Sequence, residues 1–207
     1  PAMLDEQRLS HGEIEILGTP RRLVIYIEDL APAQPDREEL VKGPPASRAF
    51  DSAGAPTRAA EGFARSKGVA VSDLEVREID GGQYVAVVVR QSGRSTPEIL
   101  VEQIPTLVAD ISFGKSMRWN FTNVSFSRPI RWLQSIYGES VISFNFAGLT
   151  ANNITRGLRF IEPLEIPVDS TAAYFAIMEK QGIILDPESR MAVVEKLINN
   201  IAIHAGG

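Results

Sequence analysis

LEVREIDGGQYVAVVVRQ, residues 74–91, decides the fold class. Two β-favouring runs flank Gly81-Gly82, which is the chemistry of a two-residue hairpin turn. Upstream, EIEIL (13–17) and RRLVIYIEDL (21–30) form a second strand pair, with Gly18-Thr19-Pro20 as turn. Between the hairpins lies a Pro-rich stretch carrying one short strand, REELVKG, and the Pro44-Pro45 pair excludes a helix or a central strand there. TRAAEGFARSKG then reads as a helix with Thr57 as N-cap and Gly68 just past its end. Beyond the hairpin, Thr96-Pro97 opens a helix that runs through Pro105 and is expected to kink there.

SMRW, RPIRWLQSIYG, SVISFNFAG and NITRGLRF are strand-like and are expected to form the centre of an antiparallel sheet. The last forty or so residues turn helical. DSTAAYFAIMEKQG is one helix, GIIL a short strand, and Asp186-Pro187 caps a final helix. Strands and helices mixed without regular βαβ alternation make an α+β chain, antiparallel sheets with flanking and C-terminal helices. The expected division is a mainly β domain over residues 1–165 and a helical region over 166–207 that leads into a further domain.

The 207 residues hold no cysteine, which excludes disulfides and thiolate zinc sites and suits a reducing cytoplasm. The longest apolar run, YVAVVV at 84–89, is far short of the ~18 residues of a membrane span. PAMLDEQRL has acids where a secretory signal carries bases, so Asn120, Asn123 and Asn153 in Asn-x-Ser/Thr triplets read as chance matches. A start without Met and a stop just after a helical run suggest a piece of a longer protein.

Charge is unevenly placed. Residues 111–161 contain Lys115, Arg118, Arg128, Arg131, Arg156 and Arg159 against one acid, Glu139, in a chain of net charge −5. Both tryptophans lie in the same segment. This pattern suits either a polyanion-facing surface or arginines packed on indole faces. Within RPIRWLQSIY, strand alternation puts Arg131, Leu133, Ser135 and Tyr137 on one face and Ile130, Trp132, Gln134 and Ile136 on the other. That makes 128–137 an interior strand with Trp132 buried. Arg128 and Arg131 are expected to be structural, making bidentate bonds to carboxylates or carbonyls. Lys115, Arg118, Arg156 and Arg159, nearer segment ends, are the candidates for phosphate contacts.

No catalytic residue is assigned. The only histidines are His11, read as a turn or cap residue, and His204, which closes the last helix. Neither has a partner at metal-ligand spacing, and no Gly-rich phosphate loop or nucleophile elbow occurs.

SHGEIEILGTPRRL, KGPPASRAFDSAGAPTRAAEGFARSKGV, KSMRW, FSRPIRWL and FAGLTANNITRGLRF, in this order, resemble the bacterial glycyl-tRNA synthetase β-subunit family. The resemblance covers about residues 9–192, and five separated motifs in one order make it specific. Leu158 stands where the family often has histidine, and no proline precedes Lys115 where the family often has one. The resemblance implies the N-terminal third of a β chain, with helical and anticodon-binding domains downstream, and a fold of the B3/B4 kind found in phenylalanyl-tRNA synthetase. It implies a partner α subunit that holds the glycine and ATP site with its Mg²⁺, and tRNA(Gly) as ligand. It implies no cofactor in this segment and no binding of DNA or membrane. On that basis the segment is non-catalytic by itself and supports tRNA binding and α–β assembly in the cytoplasm. The rival readings are a hydrolytic editing module and a pure protein-interaction platform. Glycine, the smallest amino acid, weakens the case for editing, because steric exclusion already rejects larger competitors.

Overall fold

The computed structural model describes residues 1–51 and 54–204. In chain order the elements are α1 (Ala2–Glu6), β1 (Ile14–Thr19), β2 (Arg22–Ile27), β3 (Arg37–Pro45), α2 (Ala46–Ala49) and α3 (Arg58–Lys67). There follow β4 (Glu75–Ile79), β5 (Gly82–Gln91), α4 (Thr96–Ala109), β6 (Met117–Arg118), β7 (Ser125–Phe126), β8 (Ile136–Tyr137) and β9 (Ser140–Val141). The chain continues with β10 (Asn145–Phe146), β11 (Leu149–Thr150), β12 (Ile154–Arg156), β13 (Glu165–Pro167), α5 (Thr171–Lys180) and α6 (Pro187–His204). The fold is α+β, with small antiparallel sheets and C-terminal helices. The chain folds as two compact units, residues 34–93 and the remainder. Residues 166–204, expected as a separate helical region, belong to the same unit as residues 1–33 and 94–165.

The inserted unit is a three-stranded sheet in the order β3-β5-β4. Ile79 pairs with Gly82, so Asp80 and Gly81 form the turn, one residue earlier than the sequence suggests. Both take positive φ, +55° and +76°, the backbone that a primed hairpin turn demands. Lys42 ties β3 to this turn: its ammonium bonds Asp80 at 2.8 Å and sits 3.8 Å from the Tyr84 ring centroid. β3 is an edge strand whose pairing becomes irregular between Lys42 and Pro45, where prolines are tolerated. Thr57 caps α3 by accepting from Ala59 N–H, and Gly68 ends it in the left-handed conformation. Ala49, Ala60 and Val85 form the core, with Phe50, Phe63 and Leu74 around them.

In the other unit the β1–β2 hairpin has two apolar faces. Leu17, Val24 and Tyr26 meet α5 and the segment after it, where Met178, Ile183 and Leu185 are buried and Phe175 stands edge-on to Tyr26 at 4.9 Å. On the opposite face Ile14 and Ile27 pack on Leu4, Leu9 and the α4 residue Ile99. Further along that face Ile16, paired with Ile25, is 70% exposed.

α4 begins at Thr96, with Ser95 as N-cap and Glu98 accepting from the Ser95 N–H at 3.2 Å. GIIL does not form a strand. Ile183 and Leu185 are buried, and a single backbone bond, Gly18 N–H to the Leu185 carbonyl, links this segment to β1. Asp186 caps α6 by accepting from Ser189 N–H at 2.6 Å, and that bond lowers its pKa. Arg190 anchors the first turn by donating to the carbonyls of Gly18 and Ile184. After that anchor no described side chain of α6 is buried, and Met191, Val194, Leu197, Ile198 and Ile201 are exposed.

Candidate nucleic-acid interface

Residues 111–161 do not build a sheet centre. They form the two-residue pairs β6–β7, β8–β9 and β10–β11, and β12 pairs only with β13. RPIRWL has no ladder; the first pairing after it is a single bridge from Gln134 to Asn152. The expected strand over 128–137 is therefore corrected to an extended stretch followed by the short strand β8. The reason lies in what it pairs with. Its polar anchors come from far away in the chain, such as the Tyr137 hydroxyl donating to the Leu30 carbonyl at 2.9 Å.

The arginines divide differently from the expectation. Arg128 and Arg131 are exposed, and among the described residues neither makes an ion pair or a side-chain hydrogen bond. Their expected bidentate bonds are absent because 128–131 is not inside a sheet. Trp132 is half-buried, and its ring lies beneath two other guanidiniums, those of Arg22 at 5.8 Å and Arg156 at 5.6 Å.

Arg22 also donates to the Arg156 carbonyl and to Met178 Sδ, each at 2.7 Å. Arg156 bonds Glu165 at 3.0 Å across the β12–β13 pair. The Nε atoms of both arginines and the Oε1 of Gln181 are buried without a hydrogen-bond partner among the described residues. Gly157 leaves room for Gln181, since a Cβ there would stand 2.7 Å from that oxygen.

Arg156, expected at a phosphate, is thus part of the packing around Trp132. Arg22 was missed by sequence reasoning. The hairpin register carries the signal: Arg22 pairs with Thr19 on the inward face shared by Leu17 and Val24.

Lys115, Arg118 and Arg159 are exposed as expected. Arg118 Nε donates to the Asn123 carbonyl at 3.0 Å, and Arg159 lies 5.9 Å from the Phe160 ring centroid. No carboxylate pairs with any of the three among the described residues.

The histidines lie apart from the basic segment in sequence, and His11 Nε2 stands 3.9 Å from the exposed Asp5 carboxylate. His11 Nδ1 lies 2.8 Å from the Gly12 carbonyl, and His204 Nδ1 lies 2.7 Å from the carbonyl of Asn200 in its own helix. Among the described residues no group of three His, Asp or Glu is placed to hold a metal ion. The displaced pKa values belong to surface pairs and to the helix cap. Hydrogen bonding to Asp80 raises Lys42, while the Arg94–Glu102 pair raises the arginine and lowers the carboxylate. No described helix is long and apolar enough to cross a membrane.

Comparison with known proteins decides the family. The model described as "Glycyl-tRNA synthetase beta subunit" matches residues 1–207. The chain belongs to the glycyl-tRNA synthetase β-subunit family. Among curated relatives, the "Glycine--tRNA ligase beta subunit" of Geobacter metallireducens is 43% identical over 204 residues, 99% of this chain and 30% of the relative. The protein of the same name from Moorella thermoacetica is 42% identical over 205 residues, again 99% of this chain and 30% of the relative. The "Glycine--tRNA ligase, chloroplastic/mitochondrial 2" of Arabidopsis thaliana is 41% identical over 206 residues, 99% of this chain and 19% of the relative. The chain spans about 30% of the length of the bacterial relatives it matches.

Proposed function

We propose that this chain serves as a non-catalytic part of the β subunit of a glycine–tRNA ligase, supporting tRNA(Gly) binding and assembly with an α subunit in the cytoplasm. ATP and Mg²⁺ act at the α subunit in this reading, and no cofactor is assigned to the present residues. The observation that carries the tRNA part is the set of unpaired cations. Lys115, Arg118, Arg128, Arg131 and Arg159 are exposed in a segment with one acid, and none has a carboxylate partner among the described residues. Guanidinium and ammonium groups without a carboxylate partner in such a segment suit phosphate oxygens. Arg128 and Arg131 join the candidates, and Arg156 leaves them.

The assembly part rests on apolar surface. α6 exposes Met191, Val194, Leu197, Ile198 and Ile201, a row at helical spacing that suits a protein partner.

Charge reversal at each of the five cations in the whole synthetase, with tRNA affinity measured against salt, tests the reading. Removing one cation from a phosphate flattens the slope of log K against log salt by about one unit. A slope unchanged by all five substitutions refutes an RNA-facing role for this segment.

A further inference from the structure

Between β6 and β7 the chain makes a tip, residues 119–124, that is fastened by side chains. Asn120 Nδ2 donates to the Ala147 carbonyl at 2.7 Å. Its Oδ1 accepts from the Thr122 N–H at 3.1 Å and from the Thr122 hydroxyl at 2.6 Å, the local bonding by which an Asx residue closes a turn. Asn123 takes a φ of +57°, and its carbonyl receives the Arg118 Nε. Phe113 and Phe126, in edge contact at 4.6 Å, form an aromatic pair that includes the β7 end of the tip.

On this fixed tip Phe121 is 88% exposed. Part of the ring stands over the β10–β11 turn, since a Cβ at Gly148 would be 3.5 Å from Phe121 Cζ. The rest of it faces solvent. A single exposed aromatic is ordinary on a protein surface. The arrangement here is more specific: Asn120 and Thr122 fasten the turn on either side of the ring. A guanidinium three residues away is fixed through Nε, with its terminal nitrogens unpaired among the described residues. The surrounding segment has a single acid.

An exposed aromatic face and a cation three residues apart on one side-chain-fastened tip match the pairing that single-stranded nucleic acid uses, ring under base and cation on phosphate. Paired bases in an A-form helix are stacked on one another and offer no free face, so such a ring selects nucleotides outside a duplex. A protein partner would be served by the ring as well, whereas a segment with six bases and one acid favours a polyanion.

We propose that Phe121 and Arg118 form a seat for an unpaired nucleotide of RNA, the ring stacking on the base and the guanidinium holding its phosphate. This rests on the RNA-facing reading above and adds which part of an RNA is held.

The test uses the intact synthetase with two probes at several salt concentrations, a mixed-sequence single-stranded oligoribonucleotide and an RNA duplex of equal length. Phe121→Ala should weaken the single strand about tenfold without changing its salt slope. Phe121→Trp should preserve affinity, and Phe121→Leu, which keeps apolar bulk without the π face, should weaken it as Ala does. Arg118→Gln should weaken binding and flatten the single-strand slope by roughly 0.7. Duplex affinity should be indifferent to all three Phe121 variants.

Single-strand affinity within twofold of wild type in both Phe121→Ala and Phe121→Leu overturns the seat. So does an equal loss on duplex and single strand. Loss of α-subunit binding with RNA affinity intact would show that the ring docks protein instead. If charge reversal at each of the five cations leaves RNA affinity intact, the broader reading has failed. An intact charge effect with an inert Phe121 would remove the seat alone.

Discussion

The inserted unit and the basic segment use the same extended backbone in opposite ways. In residues 34–93 the strands are joined by continuous backbone ladders, Arg37 to Lys42 on one side of β5 and Glu75 to Ile79 on the other. In residues 111–161 the ladders are two or three residues long, and much of the tying is done by side chains reaching backbone or rings elsewhere. A ladder is a local, periodic object and leaves a local, periodic trace in sequence. A side-chain tether is neither. The first region can be read residue by residue, whereas the second is understood only once its distant partners are known.

If that contrast is right, stability in the basic segment should follow the tethers and not the strand pattern. The largest effect is expected at Trp132, where Trp132→Ala removes the ring from beneath two guanidiniums and should cost about 3 kcal/mol in denaturant unfolding. A cost under about 1 kcal/mol would break the comparison. Tyr137→Phe deletes only the bond to the Leu30 carbonyl and should cost about 1 kcal/mol by the same measurement. Loss of stability equal to that of Trp132→Ala would mean the segment depends on one polar contact far more than the geometry implies. The smallest change is expected at Arg128→Ala and Arg131→Ala, each within about 0.5 kcal/mol of the parent, since both side chains are exposed. A drop of several kcal/mol at either would restore the picture of a paired, buried arginine strand.

Much of the α+β framework was legible because it rests on short-range chemistry. Thr57 and Gly68 mark the ends of α3, Asp186-Pro187 marks the start of α6, and the β4–β5 hairpin announces itself by its Gly pair. Even there the turn lies one residue earlier, because Asp80 tolerates positive φ and lets Ile79 face Gly82. RPIRWL misled because alternating residues also suit an extended stretch whose ring packs against other parts of the chain. Arg156 looked like a free base near a segment end, yet its partners Trp132 and Glu165 lie on other strands and loops. Lys115, Arg118 and Arg159 were legible as exposed cations, since they lie near the ends of short segments and not in the middle of a ladder. Phe121 gave no signal of its own, because an aromatic in a strand-rich segment reads as core until the turn made by Asn120 is seen.

The ring of Trp132 has a consequence for the order in which the chain can organise. Arg22 bonds the Arg156 carbonyl across 134 positions and Met178 across 156. Closing a flexible loop of that length carries an entropy on the order of 4 kcal/mol, whereas the Asp80-Gly81 hairpin closes almost none. The Arg22 guanidinium cannot lie over the indole until a loop of that order has closed, whereas Arg156 reaches it across the much shorter span from Trp132. The light emitted by Trp132 therefore reports on the joining of remote parts of the polypeptide, while the inserted sheet, whose residues include no tryptophan, takes shape unseen by it.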